Sequence, residues 1–161
     1  MRGDLVYSPL VSLDDLKGMS CGVKVVDEIL HSQVLLAGLA EMQCDAYLVH
    51  NEDGALVGFF AINMNRLEFY QDGRYFYHDV LDIAYLAVEK SFQRRGIGTA
   101  IINKIIELSE EKNPDGVYIS VDALCLPDEN YWATPFYEKC GFISIDPPKF
   151  DTIRMYRKVH Q

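Results

Sequence analysis

Residue type and spacing point most directly to chemistry in the segment Gln93-Arg94-Arg95-Gly96-Ile97-Gly98. Two glycines one residue apart let the backbone come within hydrogen-bonding distance of a ligand, and a helix starting there opens with N–H groups that have no intrahelical acceptor. Such a turn suits pyrophosphate: the positive end of the helix dipole faces the anion, and Arg94 and Arg95 add full positive charge. The segment is neither a Gly-x-x-x-x-Gly-Lys-[Ser/Thr] P-loop nor the three-glycine dinucleotide fingerprint. Taken alone, it fits a plain tight strand-to-helix connection equally well.

The elements around this turn define its setting. Val80 to Val88 is an apolar run with one charge, Asp82, and its Val, Ile and Tyr content fits a central strand buried on both faces. The helix after the turn runs from about Ile97 to Lys112, with Ile97, Ile101, Ile105 and Leu108 along one stripe. Asn113-Pro114-Asp115-Gly116 ends it, Val117–Ala123 alternates as the next strand, and a short helix over Asn130–Lys139 closes at Cys140-Gly141. Upstream, an extended start near Leu5-Val6-Tyr7 precedes one helical stretch from Val23 to about Met42. Asp45–His50 and Ala55–Ile62 flank Asn51-Glu52-Asp53-Gly54 as a hairpin. Residues 64–79 read as a loop or partial strand rich in aromatics (Phe69, Tyr70, Tyr75, Phe76, Tyr77), either a satellite hydrophobic cluster or a substrate wall. Thr152–Lys158 alternates as a terminal strand at or near an edge. The order β, α, β-hairpin, β, α, β, α, β predicts a mixed α/β sheet in one domain over residues 1–161.

Composition narrows the function classes. With 15 Lys and Arg against 24 Asp and Glu, the formal charge is −9, a field that repels phosphate backbones and disfavours nucleic acid as the main partner. No run approaches the ~18 apolar residues of a membrane span, and Met1-Arg2-Gly3-Asp4 lacks the pattern of a secretory signal, so a cytoplasmic protein is expected. Cys21, Cys44, Cys125 and Cys140 form no CxxC pair and read as reduced thiols, and His31, His50 and His78 have no metal spacing. No metal is expected.

Two blocks carry a resemblance. Leu86-Ala87-Val88-Glu89-Lys90-Ser91-Phe92-Gln93-Arg94-Arg95-Gly96-Ile97-Gly98 resembles the signature of the GNAT acyltransferases, acetyl-CoA-dependent N-acetyltransferases whose pyrophosphate loop reads [Gln/Arg]-x-x-Gly-x-[Gly/Ala]. Asn130 to Phe142 is similar to the family's Asn-x-x-Ala-x-x-x-Tyr-x-x-x-Gly-Phe element, through Asn130, Ala133, Tyr137, Gly141 and Phe142. The resemblance implies a single-domain GNAT fold with a mixed, mostly antiparallel central sheet flanked by helices, and acetyl-CoA as acyl donor. It implies that the strand at Leu86, Ala87 and Val88 splays at a bulge and pairs with the pantetheine arm, with the Val88 N–H polarising the thioester carbonyl. Gln93, Arg94, Arg95, Gly96, Ile97, Gly98 and Thr99 would cradle the pyrophosphate. Asn130 would touch the pantetheine arm and open a helix packed along it.

An amine attacking a thioester needs two proton movements: loss from the ammonium, and stabilisation of the departing thiolate. The resemblance assigns the second to Tyr137, whose alternative role is to pack its helix on the sheet. For the first, Asp82 lies where some members of the family place a general-base Glu, and burial raises a carboxyl pKa toward a useful value. The alternatives are a carboxylate satisfied by backbone N–H groups or a nearby Arg, with a water chain taking the proton. The expected partner is a cationic small-molecule or peptide amine, drawn to the anionic surface, and the protein is expected as a monomer or homodimer. Ser20-Cys21-Gly22-Val23-Lys24-Val25-Val26-Asp27 is loosely similar to GNAT toxins that acetylate aminoacyl-tRNA, which is the rival reading within the enzyme class. The rival outside it is a non-catalytic acyl-CoA-binding sensor.

Overall fold

Two Asp-Gly pairs turn the chain in the first half of the computed structural model, which describes residues 3–145 and 150–160. Asp53-Gly54 joins β2 (Asp45–His50) to β3 (Leu56–Gln71). There the Asn51 side chain accepts from the Asp53 and Ala55 N–H groups at 3.0 and 2.9 Å. Asp72-Gly73 joins β3 to β4 (Arg74–Val88), and both residues have positive φ, 52° and 76°, as a two-residue hairpin loop requires. The expectation of an irregular 64–79 is therefore corrected: the segment is the far end of a long hairpin. Its alternation is hard to read because the exposed positions include apolar and aromatic residues, Met64 and Tyr70 beside Arg66 and Glu68 and then Tyr75, Phe76 and Tyr77, while Leu67 is buried and Phe69 partly so.

The remaining strands are β1 (Val6–Pro9), β5 (Tyr118–Leu126), β6 (Tyr131–Trp132), β7 (Ile143–Ser144) and β8 (Thr152–Lys158). They complete an open eight-stranded sheet in the order β1-β2-β3-β4-β5-β8-β7, with β6 on β5. The β1–β2, β2–β3, β5–β6, β5–β8 and β7–β8 ladders are antiparallel, and β4–β5 is parallel with Leu81 opposite Ile119, Asp82 opposite Ser120 and Ile83 opposite Val121. β8 lies between β5 and β7, one place in from the edge. The helices are α1 (Lys24–Leu30), α2 (Gln33–Glu41), α3 (Ile97–Lys112) and α4 (Thr134–Lys139). Among the described residues no helix is long and apolar enough to cross a membrane.

Two further expectations are corrected. The helix predicted from Val23 to Met42 is broken at His31-Ser32, where Ser32 is extended (φ −130°, ψ 161°) and its hydroxyl bonds the Ile29 carbonyl at 3.2 Å. A serine competing for backbone acceptors favours a cap over continued helix. Asn130 does not open a helix: it sits at φ 52° after a 3₁₀ turn, its N–H bonds Pro127 C=O, and β6 follows it. Pro135 is tolerated only in a first helical turn, which puts the start of α4 at Thr134.

The chain divides into two compact units, 1–63 with 84–101 and 64–83 with 102–161. In the first, α1 and α2 bury Leu30, Leu35 and Leu39 with Leu16, Leu48 and Phe59, and Tyr85 packs against this core. Phe59 is fully buried, its ring 6.5 Å from that of Tyr85. Phe59→Ala should therefore destabilise the protein by about 3–5 kcal/mol in denaturant unfolding; a loss under about 1 kcal/mol would mean the site collapses around the gap. In the second unit the aromatic rings of Phe69, His78, Tyr118 and Tyr156 pack edge to face at 4.9–5.7 Å.

Candidate active site

The turn after β4 has the backbone its sequence suggests. Arg94 and Gly96 both take positive φ, 64° and 82°, and α3 begins at Ile97 with the Ala100 N–H on Gly96 C=O at 3.0 Å. The N–H groups of Ile97, Gly98 and Thr99 thus stand in the first turn without an i−4 partner inside the helix. Arg94 and Arg95 are exposed, and the Arg95 guanidinium lies 5.4 Å above the Phe92 ring. A cleft of about 610 Å³ adjoins the turn, lined by Phe92, Arg95, Gly96, Ile97 and Ala100 together with Tyr7 and Asn51–Asp53. Bare amides, left-handed backbone and two guanidinium groups fit an anion with several oxygens, as a pyrophosphate is. The Gln93 side chain is engaged elsewhere: its Nε2 donates to Cys21 C=O at 2.6 Å and to Val88 C=O at 2.9 Å.

Leu86, Ala87 and Val88 form the end of β4, and the parallel ladder on β5 covers Leu81–Ile83. Glu89 N–H then bonds Val57 C=O at 2.9 Å.

In the other unit, Asp82 is 7% exposed and its carboxylate is held. Ser120 Oγ donates to Oδ1 at 2.6 Å, and Arg154 Nη1 donates to the same oxygen at 3.1 Å. Arg154 also pairs with Asp122 at 3.2 Å. Burial pushes the Asp82 pKa up to about 6, with Asp122 adding to the rise, while Arg154, Ser120 and the Asn65 side chain pull it down. The carboxylate is thus mostly ionised at pH 7, and Oδ2 is free of the two bonds that converge on Oδ1. The alternative of a carboxylate satisfied by a nearby arginine describes this contact, and it is compatible with a proton-accepting role.

Tyr137 is buried in α4, with its ring 5.0 Å from Phe136 and 5.4 Å from Phe142. Burial first, then the negative charge of neighbouring groups including Asp82, raises its pKa, so the phenol keeps its proton through the neutral range. Gly141, at φ 92°, closes the α4 end. The four cysteines are free thiols, and burial pushes Cys21 up to about 11, which makes it a poor nucleophile at neutral pH. Among the described residues no cluster of three or more His, Cys, Asp or Glu side chains is placed to hold a metal ion.

The model of the acetyltransferase (GNAT) family matches residues 22–142, and the chain belongs to that family. An uncharacterised N-acetyltransferase of Methanocaldococcus jannaschii, MJ1207, is 33% identical over 98 residues, covering 61% of this chain and 39% of that protein. The chain thus matches about two fifths of that relative's length. Among solved structures, AtaTR bound with acetyl-CoA has a TM-score of 0.73 at 17% identity, covering 97% of this chain and 94% of the other. AtaT complexed with acetyl-methionyl-tRNAfMet has a TM-score of 0.67 at 16% identity, covering 94% of each chain. At these identities the likeness establishes a shared fold.

Sequence reasoning missed the partners of Asp82. A carboxylate in an apolar strand calls for a counter-charge. That Arg154 supplies it follows from the β5–β8 register, which sets Asp122 opposite Arg154 and which sequence spacing does not encode.

Proposed function

We propose that the protein transfers an acetyl group from acetyl-CoA to a primary amine by direct attack. The observation that carries this reading is the Gln93–Gly98 turn, with left-handed Arg94 and Gly96 leading into the bare amides of α3. Its amides, with Arg94, Arg95 and Thr99, hold the pyrophosphate of the donor. The N–H and C=O groups of Leu86 and Ala87, beyond the Leu81–Ile83 ladder, pair with the pantetheine arm, and the Val88 N–H polarises the thioester carbonyl. Asn130 touches the same arm. Asp82 takes the proton from the attacking amine, the new N–C bond forms as the C–S bond breaks, and Tyr137 gives its proton to the departing sulfur. The retention of Tyr137 beside an ionised Asp82 weighs against a non-catalytic sensor of acyl-CoA.

A base with a pKa near 6 gives an activity that falls as pH drops through that value, because the proton-accepting form exists only above it. Arg154→Met removes a positive charge that favours the ionised form, so the acid limb of kcat/KM should move to higher pH. In Asp82→Asn the limb should vanish along with most of the rate. A limb unchanged in both variants assigns the base to another group or to a water chain.

A cationic small-molecule or peptide amine is the preferred acceptor. The net charge of −9 concentrates such amines, and the exposed Tyr70 and Tyr75 offer faces for alkylammonium groups at ~0.5–2 kcal/mol each, while the Tyr77 face is taken by the Arg66 guanidinium at 5.3 Å. A second reading, acetylation of the α-amine of aminoacyl-tRNA, is favoured by the shared fold with AtaT in complex with an acetylated aminoacyl-tRNA. Both use the same chemistry on a primary amine. The discriminating assay compares small amines, amine-bearing peptides and charged tRNA at two salt concentrations. Turnover of the first two with weak salt dependence is expected; steep salt dependence on tRNA alone would promote the second reading.

A further inference from the structure

The segment Ser20-Cys21-Gly22 is used by no step above, yet it is held by Asp27 on one side and by Lys90 and Gln93 on the other. The Asp27 carboxylate accepts from Ser20 Oγ at 2.7 Å and from the Cys21 N–H at 2.8 Å, and Ser20 Oγ in turn accepts from the Gly22 N–H at 3.3 Å. Although burial opposes its ionisation, these bonds hold Asp27 below the ordinary carboxylate range, so the brace is charged at neutral pH. Two of the three carbonyls of the braced segment are taken by residues just after β4. Lys90 N–H bonds Ser20 C=O at 2.7 Å, and Gln93 Nε2 bonds Cys21 C=O at 2.6 Å. Gln93 directs its second amide proton to Val88 C=O at 2.9 Å, so both of its donors are used on backbone. The next residue, Arg94, stands at φ 64°, a conformation that a non-glycine residue keeps only where its surroundings over-determine it.

We infer that Gln93 is a positioning residue of the donor turn: its side-chain amide, held between the Cys21 and Val88 carbonyls, lets the Asp27-braced Ser20–Gly22 segment set the left-handed path of Arg94–Gly96. The inference rests on the reading of that turn as the pyrophosphate site. The Cys21 and Val88 carbonyls are fixed acceptors, and a donor placed between them pins the start of the turn while leaving the amides of α3 to the ligand. The Val88 peptide is pinned by the same contact, and its N–H is the group assigned to the thioester carbonyl. The role of the upstream motif is then structural support, delivered 72 residues along the chain.

The test uses Gln93→Glu, which replaces the amide donors with a carboxylate facing two carbonyls, and Gln93→Arg, which restores N–H donors. Asp27→Ala and Ser20→Ala loosen the brace from the other end and serve if Gln93→Glu fails to fold. Two quantities are read: the acetyl-CoA dissociation constant by calorimetry, and amide hydrogen exchange over residues 93–99 in the free protein. Gln93→Glu should weaken binding on the order of tenfold, the scale of two lost, partly exposed hydrogen bonds, and raise exchange across the turn before any ligand is added. Asp27→Ala should do the same to a smaller extent, and Gln93→Arg should lie closer to wild type. KM for acetyl-CoA should rise by more than kcat falls. Unchanged exchange with weakened binding would make Gln93 a direct ligand contact and overturn the inference, as would wild-type values of both quantities in folded Gln93→Glu. Faster exchange in a protein that still binds acetyl-CoA normally after Gly96→Val would instead bring down the pyrophosphate reading and leave the brace standing.

Discussion

Tyr137→Phe should lower kcat by on the order of 10²–10⁴-fold, the range for loss of one general acid, with acetyl-CoA affinity close to wild type. The hydroxyl is asked to act only as charge builds on the departing sulfur, so its removal costs the transition state and spares the ground state. The raised pKa of the buried phenol supports the assignment, since the group is protonated whenever a thiolate needs a donor. Phe keeps the ring that packs near Phe136 and Phe142, so the fold should survive. Turnover at the wild-type rate would reduce Tyr137 to a packing residue, the other role open to it.

Gly96→Val should abolish measurable acetyl-CoA binding in calorimetric titration. At φ 82° a β-branched residue is strained, and its side chain would stand where the backbone must approach the pyrophosphate. Asn51–Asp53 line the same cleft as Gly96, but the β2–β3 ladder is held by its own strand pairing, so circular dichroism and the β2–β3 amide protection pattern should show a folded protein. Retained affinity in a folded Gly96→Val protein would move the donor away from this turn.

The legibility of the chain followed the range of the interactions that fix each part. α3 was predicted over Ile97–Lys112 and is found there, because its apolar stripe and the Asn113-Pro114 stop are local signals. The donor turn was legible for the same reason: two glycines and a helix start are encoded within six residues. The 64–79 arm was misread because exposed aromatics and charges blur period-two alternation, although Asp72-Gly73 was present as a hairpin signal. Pro135 is a local signal for the start of α4, whereas the β5–β6 pairing of Cys125 with Trp132 and Leu126 with Tyr131, which takes the residues before it out of the helix, is visible only once the sheet is assembled. Asp82 stands out in the sequence as the one charge of the Val80–Val88 run, but Arg154 and Ser120 lie 72 and 38 residues away and meet it through register. The Gln93 contact with Cys21 spans a similar distance and left no local trace.

The most direct test of the central claim is stoichiometry: acetyl-CoA and a panel of primary amines incubated with the protein, with free CoA and N-acetylated amine quantified together by mass spectrometry. The two products should appear in equal amounts, only when donor and amine are both present, and both should disappear with Gly96→Val. Release of CoA at the same rate without any amine, or acetyl-CoA binding with no acetylated product from any small amine, peptide or aminoacyl-tRNA, would contradict that claim.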